Sequence, residues 1–110
     1  MYDSTIKVLT KLSENVMTST LNKSEKNALV KLIKIIIIFY DNKYKEIEHN
    51  NINGQDILKL AKLTSIVTDY IVTINDTIKG KNDAFSIINI IYKEINYDNN
   101  KGQFKRKRLI

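Results

Sequence analysis

The sequence predicts an all-α protein, an antiparallel four-helix bundle with a basic C-terminal tail. Three observations carry that expectation. Apolar residues recur at three- and four-residue steps along most of the chain, which places them on single helix faces. Pro is absent and there are 3 Gly, so chain breaks fall at Gly54, Gly80, Gly102 and the Asn clusters, dividing the chain into four helical pieces. Four amphipathic helices joined by short connections pack most simply antiparallel around one core.

In the first piece Ile6, Leu9, Leu12 and Val16 share a face, with Met17 beside them and Lys7, Lys11 and Glu14 elsewhere. Asp3 or Ser4 is the expected N-cap. The run Thr18-Ser19-Thr20 weakens helix propensity and ends the helix near Thr20. Asn22 with Glu25 three residues later has the form of a capping box and starts the second helix. Its stripe is Leu29, Ile33, Ile36, Tyr40, Tyr44 and Ile47, and Ile35, Ile37, Ile38 and Phe39 make its middle apolar all round. That greasy middle fits either a helix buried on most sides or a β-branched strand. The stripe extends over about 20 residues, against about 5–6 for a usual strand, so a helix is expected.

His49 to Gly54 reads as a turn, because Asn and Gly tolerate left-handed backbone angles. The third helix carries Ile57, Leu60, Val67, Ile71, Ile74 and Ile78 on one side, with Thr64 in the stripe and Leu63 next to it. Gly80 caps it, beside Lys79, whose charge favours a helix C-terminus. Asn82 or Asp83 opens the fourth helix, with Ala84, Ile88, Ile91 and Ile95 on one face, widened by Phe85 and Tyr92, and Asp98 to Gly102 closes it. The division is therefore a bundle over 1–100 and a flexible tail over 101–110.

Composition narrows the chemistry. The chain has 110 residues, a length that fits one domain and supports a core without staples. Without Cys there is no disulfide or thiolate chemistry, and a lone His rules out a Cys/His zinc site. The chain holds 18 Lys+Arg against 12 Asp+Glu, a formal net charge of +6. Lys101, Lys105, Arg106, Lys107 and Arg108 all lie in the last ten residues, which contain no acid, leaving 13 cations and 12 anions in residues 1–100. The body is nearly neutral and the basicity is terminal. Ile, Lys and Asn, the residues that dominate the chain, have A/T-rich codons, so the lysine excess is not by itself a signal for a polyanion.

No signal-peptide pattern opens the chain, since Lys7, Lys11 and Glu14 interrupt any apolar stretch. The run from Leu32 to Tyr40 contains Lys34 and is far short of the ~20 residues a spanning helix needs. A cytoplasmic protein is expected, and the sequons at Asn22 and Asn75 are then chance in an Asn-rich chain.

No catalytic residue emerges. His49 has no Ser or Thr within five residues, and nothing in the sequence points to a nucleophile for it. Glu46 and His49 have the i, i+3 spacing of a metal-ligand pair, but a di-iron bundle needs two such pairs and two more carboxylates. Three isolated glycines make no phosphate loop. The expectation is a protein that is not an enzyme, with no metal and no cofactor. Of the tyrosines, Tyr40, Tyr44, Tyr70 and Tyr92 lie on or beside apolar stripes and are expected to pack rather than stack on bases.

The candidate partner-binding residues are Phe104, Lys105, Arg106, Lys107, Arg108, Leu109 and Ile110, a basic cluster joined to apolar side chains. Such a segment contacts nucleic-acid phosphates or an anionic membrane surface. The Phe, Leu and Ile suit a membrane or a membrane protein better than plain DNA contact.

Three stretches match a known layout: Leu21 to Leu29, Ile57 to Leu63, and Lys79 to Ile95. With them, a Cys-free four-helix chain with a C-terminal extension resembles the bacteriocin immunity proteins of Gram-positive bacteria, over roughly residues 5–96 in arrangement. The resemblance implies a non-enzymatic protein that protects the producer cell from the inner face of the membrane. Its implied partners are the bacteriocin and a membrane receptor of the sugar phosphotransferase permease type. It also implies that the fourth helix and residues 101–110 decide which bacteriocin is neutralised. The alternative is a small phage, plasmid or viral helical protein that binds nucleic acid or a protein through its tail. A third is a subunit whose apolar second helix completes an oligomer.

Overall fold

A computed structural model of the protein describes residues 1–49 and 56–109, with the backbone alone for Asp56 and for residues 98–109. Four helices follow one another: α1 (Tyr2–Met17), α2 (Lys23–His49), α3 (Asp56–Ile78) and α4 (Ala84–Leu109), with no strand among the described residues. The apolar middle of the second piece is thus helical, as its long stripe required.

The helix ends follow local chemistry. Asn22 Oδ1 accepts from the Glu25 amide at 2.8 Å, and Glu25 Oε1 accepts from the Asn22 amide at 3.2 Å, a complete capping box before α2. Asp83 caps α4, accepting from the Ser86 amide at 3.0 Å and its hydroxyl at 2.9 Å. Gly80 takes φ +82°, letting its amide reach Thr77 O at 3.0 Å and the Lys81 amide reach Asp76 O at 2.9 Å. Those paired bonds make a Schellman closure of α3.

Four expectations need correction. First, α1 begins at Tyr2 with no side-chain cap, so neither Asp3 nor Ser4 is the N-cap; Ser4 and Thr5 hydroxyls donate back to Met1 O instead. Second, α1 stops at Met17, because the Ser19 hydroxyl donates to Val16 O at 2.6 Å and draws the chain out of the helix. Third, His49 is the last helical residue of α2 rather than the first of a turn; the rest of that turn, 50–54, lies outside the described residues. Fourth, α4 does not end at 98–102 but runs on to Leu109. Gly102 costs about 1 kcal/mol in a helix, yet Lys, Gln, Arg and Leu around it are strong helix formers. Cations near a helix C-terminus also complement its dipole.

The chain direction alternates. Tyr2, at the start of α1, meets Tyr40, Asp41 and Tyr44 in the second half of α2, and Tyr70 of α3 meets Glu94 of α4. One core holds all four helices together: Leu9, Leu12 and Val16 from α1, Leu29, Ile33, Ile36 and Tyr40 from α2, Val67 and Ile74 from α3, Ile91 and Ile95 from α4. α2 and α3 each touch every other helix, whereas α1 and α4 do not touch among the described residues. The axes therefore form a rhombus with α2 and α3 on its short diagonal, giving a flat body of 46 × 33 × 18 Å. This arrangement explains the all-round apolar middle of α2, which packs against three neighbours and leaves Ile38 and Lys34 toward solvent.

Candidate partner-binding site

On α4 the buried positions are Ala84, Ile91 and Ile95, with Ile87 and Ile88 half-buried. Among the described residues of the helix, the large side chains of Phe85, Ile90, Tyr92 and Tyr97 stay open to solvent. Phe85 and Tyr92, expected to widen the core face, are about half exposed at 46% and 45%, and Ile90 and Tyr97 are more open still. The reason is the rhombus: a helix at its corner has two neighbours, so only a narrow stripe is covered.

Each flank of α4 borders a groove. Toward α3, a cleft of about 460 Å³ lies between Ile66, Tyr70, Lys93, Glu94 and Tyr97. It joins a second hollow of about 260 Å³ that shares Ile66, Tyr70 and Glu94 and adds Asp69, Ile87 and Ile90. The Tyr70 hydroxyl donates to Glu94 Oε2 at 3.0 Å and sets the spacing of the two walls. Toward α2, a smaller groove of about 170 Å³ runs between Ile38, Phe39, Asn42, Tyr92, Ile95 and Asn96. These are open, apolar-walled surfaces suited to another helix or peptide.

Of the candidate residues, Phe104, Lys105, Arg106, Lys107, Arg108 and Leu109 lie on the helical backbone of α4, continuous with the walls of both grooves. Their side chains, and Ile110 altogether, lie outside the described residues. The helical backbone of α4 continues from its exposed flanks through 101–109.

The polar groups elsewhere are mostly engaged locally. Thr5, Thr10, Thr18, Thr73 and Thr77 donate their hydroxyls to backbone carbonyls three or four residues earlier. Glu46 and His49 are exposed on the last turn of α2. No group of three or more His, Asp or Glu among the described residues could hold a metal ion. No helix, searched over the described residues, is long and apolar enough to cross a membrane.

The sequence reading missed one cluster. Tyr2 stacks on Tyr40 with centroids 5.8 Å apart and tilts against Tyr44 at 5.0 Å. Its hydroxyl donates to Asp41 Oδ1, and Lys45 pairs with the same carboxylate at 3.1 Å. The hydrogen bond to Asp41, with burial and the negative charge beside it, pushes the Tyr2 phenol up to about 12. The Tyr2 hydroxyl and then Lys45 lower the Asp41 carboxyl. Burial first, then the Glu48 charge, raises Tyr44. The signal was present in sequence, since Tyr2 lies four residues before Ile6 and extends the α1 stripe. Deeper in, Tyr40 Oη and Thr64 Oγ1 are buried without a hydrogen-bond partner among the described residues.

No protein-family model, curated protein or solved structure matches the chain.

Proposed function

We propose that the protein is a non-enzymatic bacteriocin immunity protein, acting at the inner face of the membrane on a complex of bacteriocin and receptor. The observation that carries this reading is α4. It is a helix held in the bundle by a narrow stripe, with apolar side chains open on both flanks, leading into the basic residues 101–108. A surface of that kind suits recognition of a membrane-bound partner rather than chemistry on a small molecule. The matching stretches Leu21–Leu29, Ile57–Leu63 and Lys79–Ile95 add the likeness to immunity proteins and, with it, a permease-type receptor as partner. Expressing the chain in a cell sensitive to the bacteriocin encoded nearest its gene tests the reading. Survival is the expected result, and unaltered killing refutes it.

A second reading draws on the helical backbone of 101–109, which carries five cations and no acid: tail-dependent binding of nucleic acid. Binding of that kind weakens steeply with salt. A duplex-binding assay at low and at physiological salt decides it, and absence of tail-dependent binding removes it.

A further inference from the structure

Ile38 of α2 is 60% exposed, and it faces the half-exposed Tyr92 of α4 across the groove between these helices, over a floor of Ile35, Phe39 and Ile95. The two helices run parallel, since the chain direction alternates. Two turns earlier on each, roughly 10 Å along the axis, Lys31 lies in the row of Ile38 and Phe85 in the row of Tyr92. Phe85 is half-exposed as well. The result is an apolar furrow between parallel helices, with open anchors on both walls, and it has the shape that receives a third helix.

The charge along this furrow is one-sided. Residues 26–40 of α2 hold Lys26, Lys31 and Lys34 and no acid, and residues 84–93 of α4 hold Lys93 and no acid. Lys31, Lys34 and Lys93 are exposed, and none pairs with a carboxylate among the described residues. The described acids that border this stretch are engaged elsewhere. Glu25 closes the α2 capping box, Asp41 is held by Tyr2 and Lys45, and Glu46 pairs with Lys43 at 4.0 Å. Asp83 caps α4, and Glu94 accepts from Tyr70. The cleft on the α3 side of α4 has a different balance, with Asp69 and Glu94 beside Lys93. A second copy of the chain offering the same flank would set Lys31 and Lys34 against their own counterparts, a repulsive contact. Carboxylates beside an apolar stripe are the complement of this furrow.

We infer that the α2–α4 groove receives an amphipathic helix of another protein, its apolar stripe seated on Ile38, Phe85 and Tyr92 and its carboxylates meeting Lys31 and Lys34. The inference deepens the proposed function, resting on it for α4 as the recognition helix and naming the flank and the partner's chemistry; its test needs neither bacteriocin nor receptor.

The probe is a labelled, end-capped helical peptide of about 15–20 residues, with leucines on one stripe and glutamates flanking them. Its twin carries lysine in place of every glutamate. Fluorescence polarisation with the full chain should show binding of the acidic peptide and not of the basic twin, weakened by added salt. Ile38→Ser with Tyr92→Ser should weaken binding at least about tenfold, and Lys31→Glu with Lys34→Glu roughly fivefold. Val8→Ser, at an exposed position of α1, which does not touch α4 among the described residues, should bind as the parent does. Circular dichroism should show all three variants folded. Failure of the parent chain to bind the acidic peptide overturns the inference, and so do equal binding of the basic twin and undiminished binding by the Ile38/Tyr92 variant. A parent chain that sediments as a dimer, and as a monomer in that variant, assigns the groove to a second copy and overturns it too. Peptide binding without cell protection refutes the immunity reading alone; protection without peptide binding refutes the helix docking alone.

Discussion

Tyr2 and Asp41 tie the start of α1 to α2 through a phenol–carboxylate bond that Lys45 supports from the other side. Because the Tyr2 pKa is raised on folding, from 10.0 to about 12, its contribution to stability is complete below pH 10. That contribution is lost as pH rises through about 12. Asp41 is shifted the other way, so its contribution is complete above its ordinary value of 3.8 and fades as pH falls through the lowered one. In Asp41→Asn both windows should shrink. Spectrophotometric titration of tyrosinate should then show one phenol moving from about 12 back toward 10. An unchanged titration curve would mean that the carboxylate does not hold the Tyr2 proton. At this scale the sequence was half legible. Periodicity put Tyr40 and Tyr44 on the α2 stripe, but which α1 residue meets them depends on how the two helices are set against each other, which no local pattern encodes.

Helix boundaries with a side-chain signature were readable, and those without one were not. Asn22, Gly80 and Asp83 occupy the capping positions that their residue types advertise. Asn22→Ala removes an acceptor from the first turn of α2 and should cost about 1 kcal/mol. Gly80→Ala meets no atom within 4 Å of the added Cβ, so its penalty is purely that of a side chain at φ +82°. That penalty is about 1 kcal/mol. For a domain of this size each should lower Tm by roughly 5 °C. Thermal unfolding checks both, and a Gly80→Ala protein as stable as the parent would show that the backbone relaxes out of the left-handed region. The start of α1 and the end of α4 carry no such signature. A run of good helix formers outweighs Gly102, and the Asn-rich stretch before it reads as a stop although it is not one. Ile57 shows the complementary limit: phase tells which way a residue points but not whether a neighbour reaches that level.

At the level of the molecule, all-α class and a single core followed from the stripes, whereas the rhombus did not. A square bundle would give α4 a neighbour in α1; here α1 and α4 lie on opposite sides of the α2–α3 pair, and the flanks of α4 stay open. The one hint was the all-round apolar middle of α2, which marks a helix with three neighbours. The same geometry divides the labour of the chain: α1, α2 and α3 supply most of the core, while α4 presents apolar flanks and leads to the charge that makes the protein basic. Removing residues 101–110 should therefore leave the bundle folded, with helical circular dichroism retained in residues 1–100, because residues 9–95 already bring all four helices into one core. The proposed function places recognition in α4 and its extension. Survival of bacteriocin-challenged cells expressing either the full chain or residues 1–100 tests it most directly. Protection by the full chain and its loss or redirection in the truncated one at equal expression are expected; undiminished protection by residues 1–100 against the same bacteriocin would overturn the proposal.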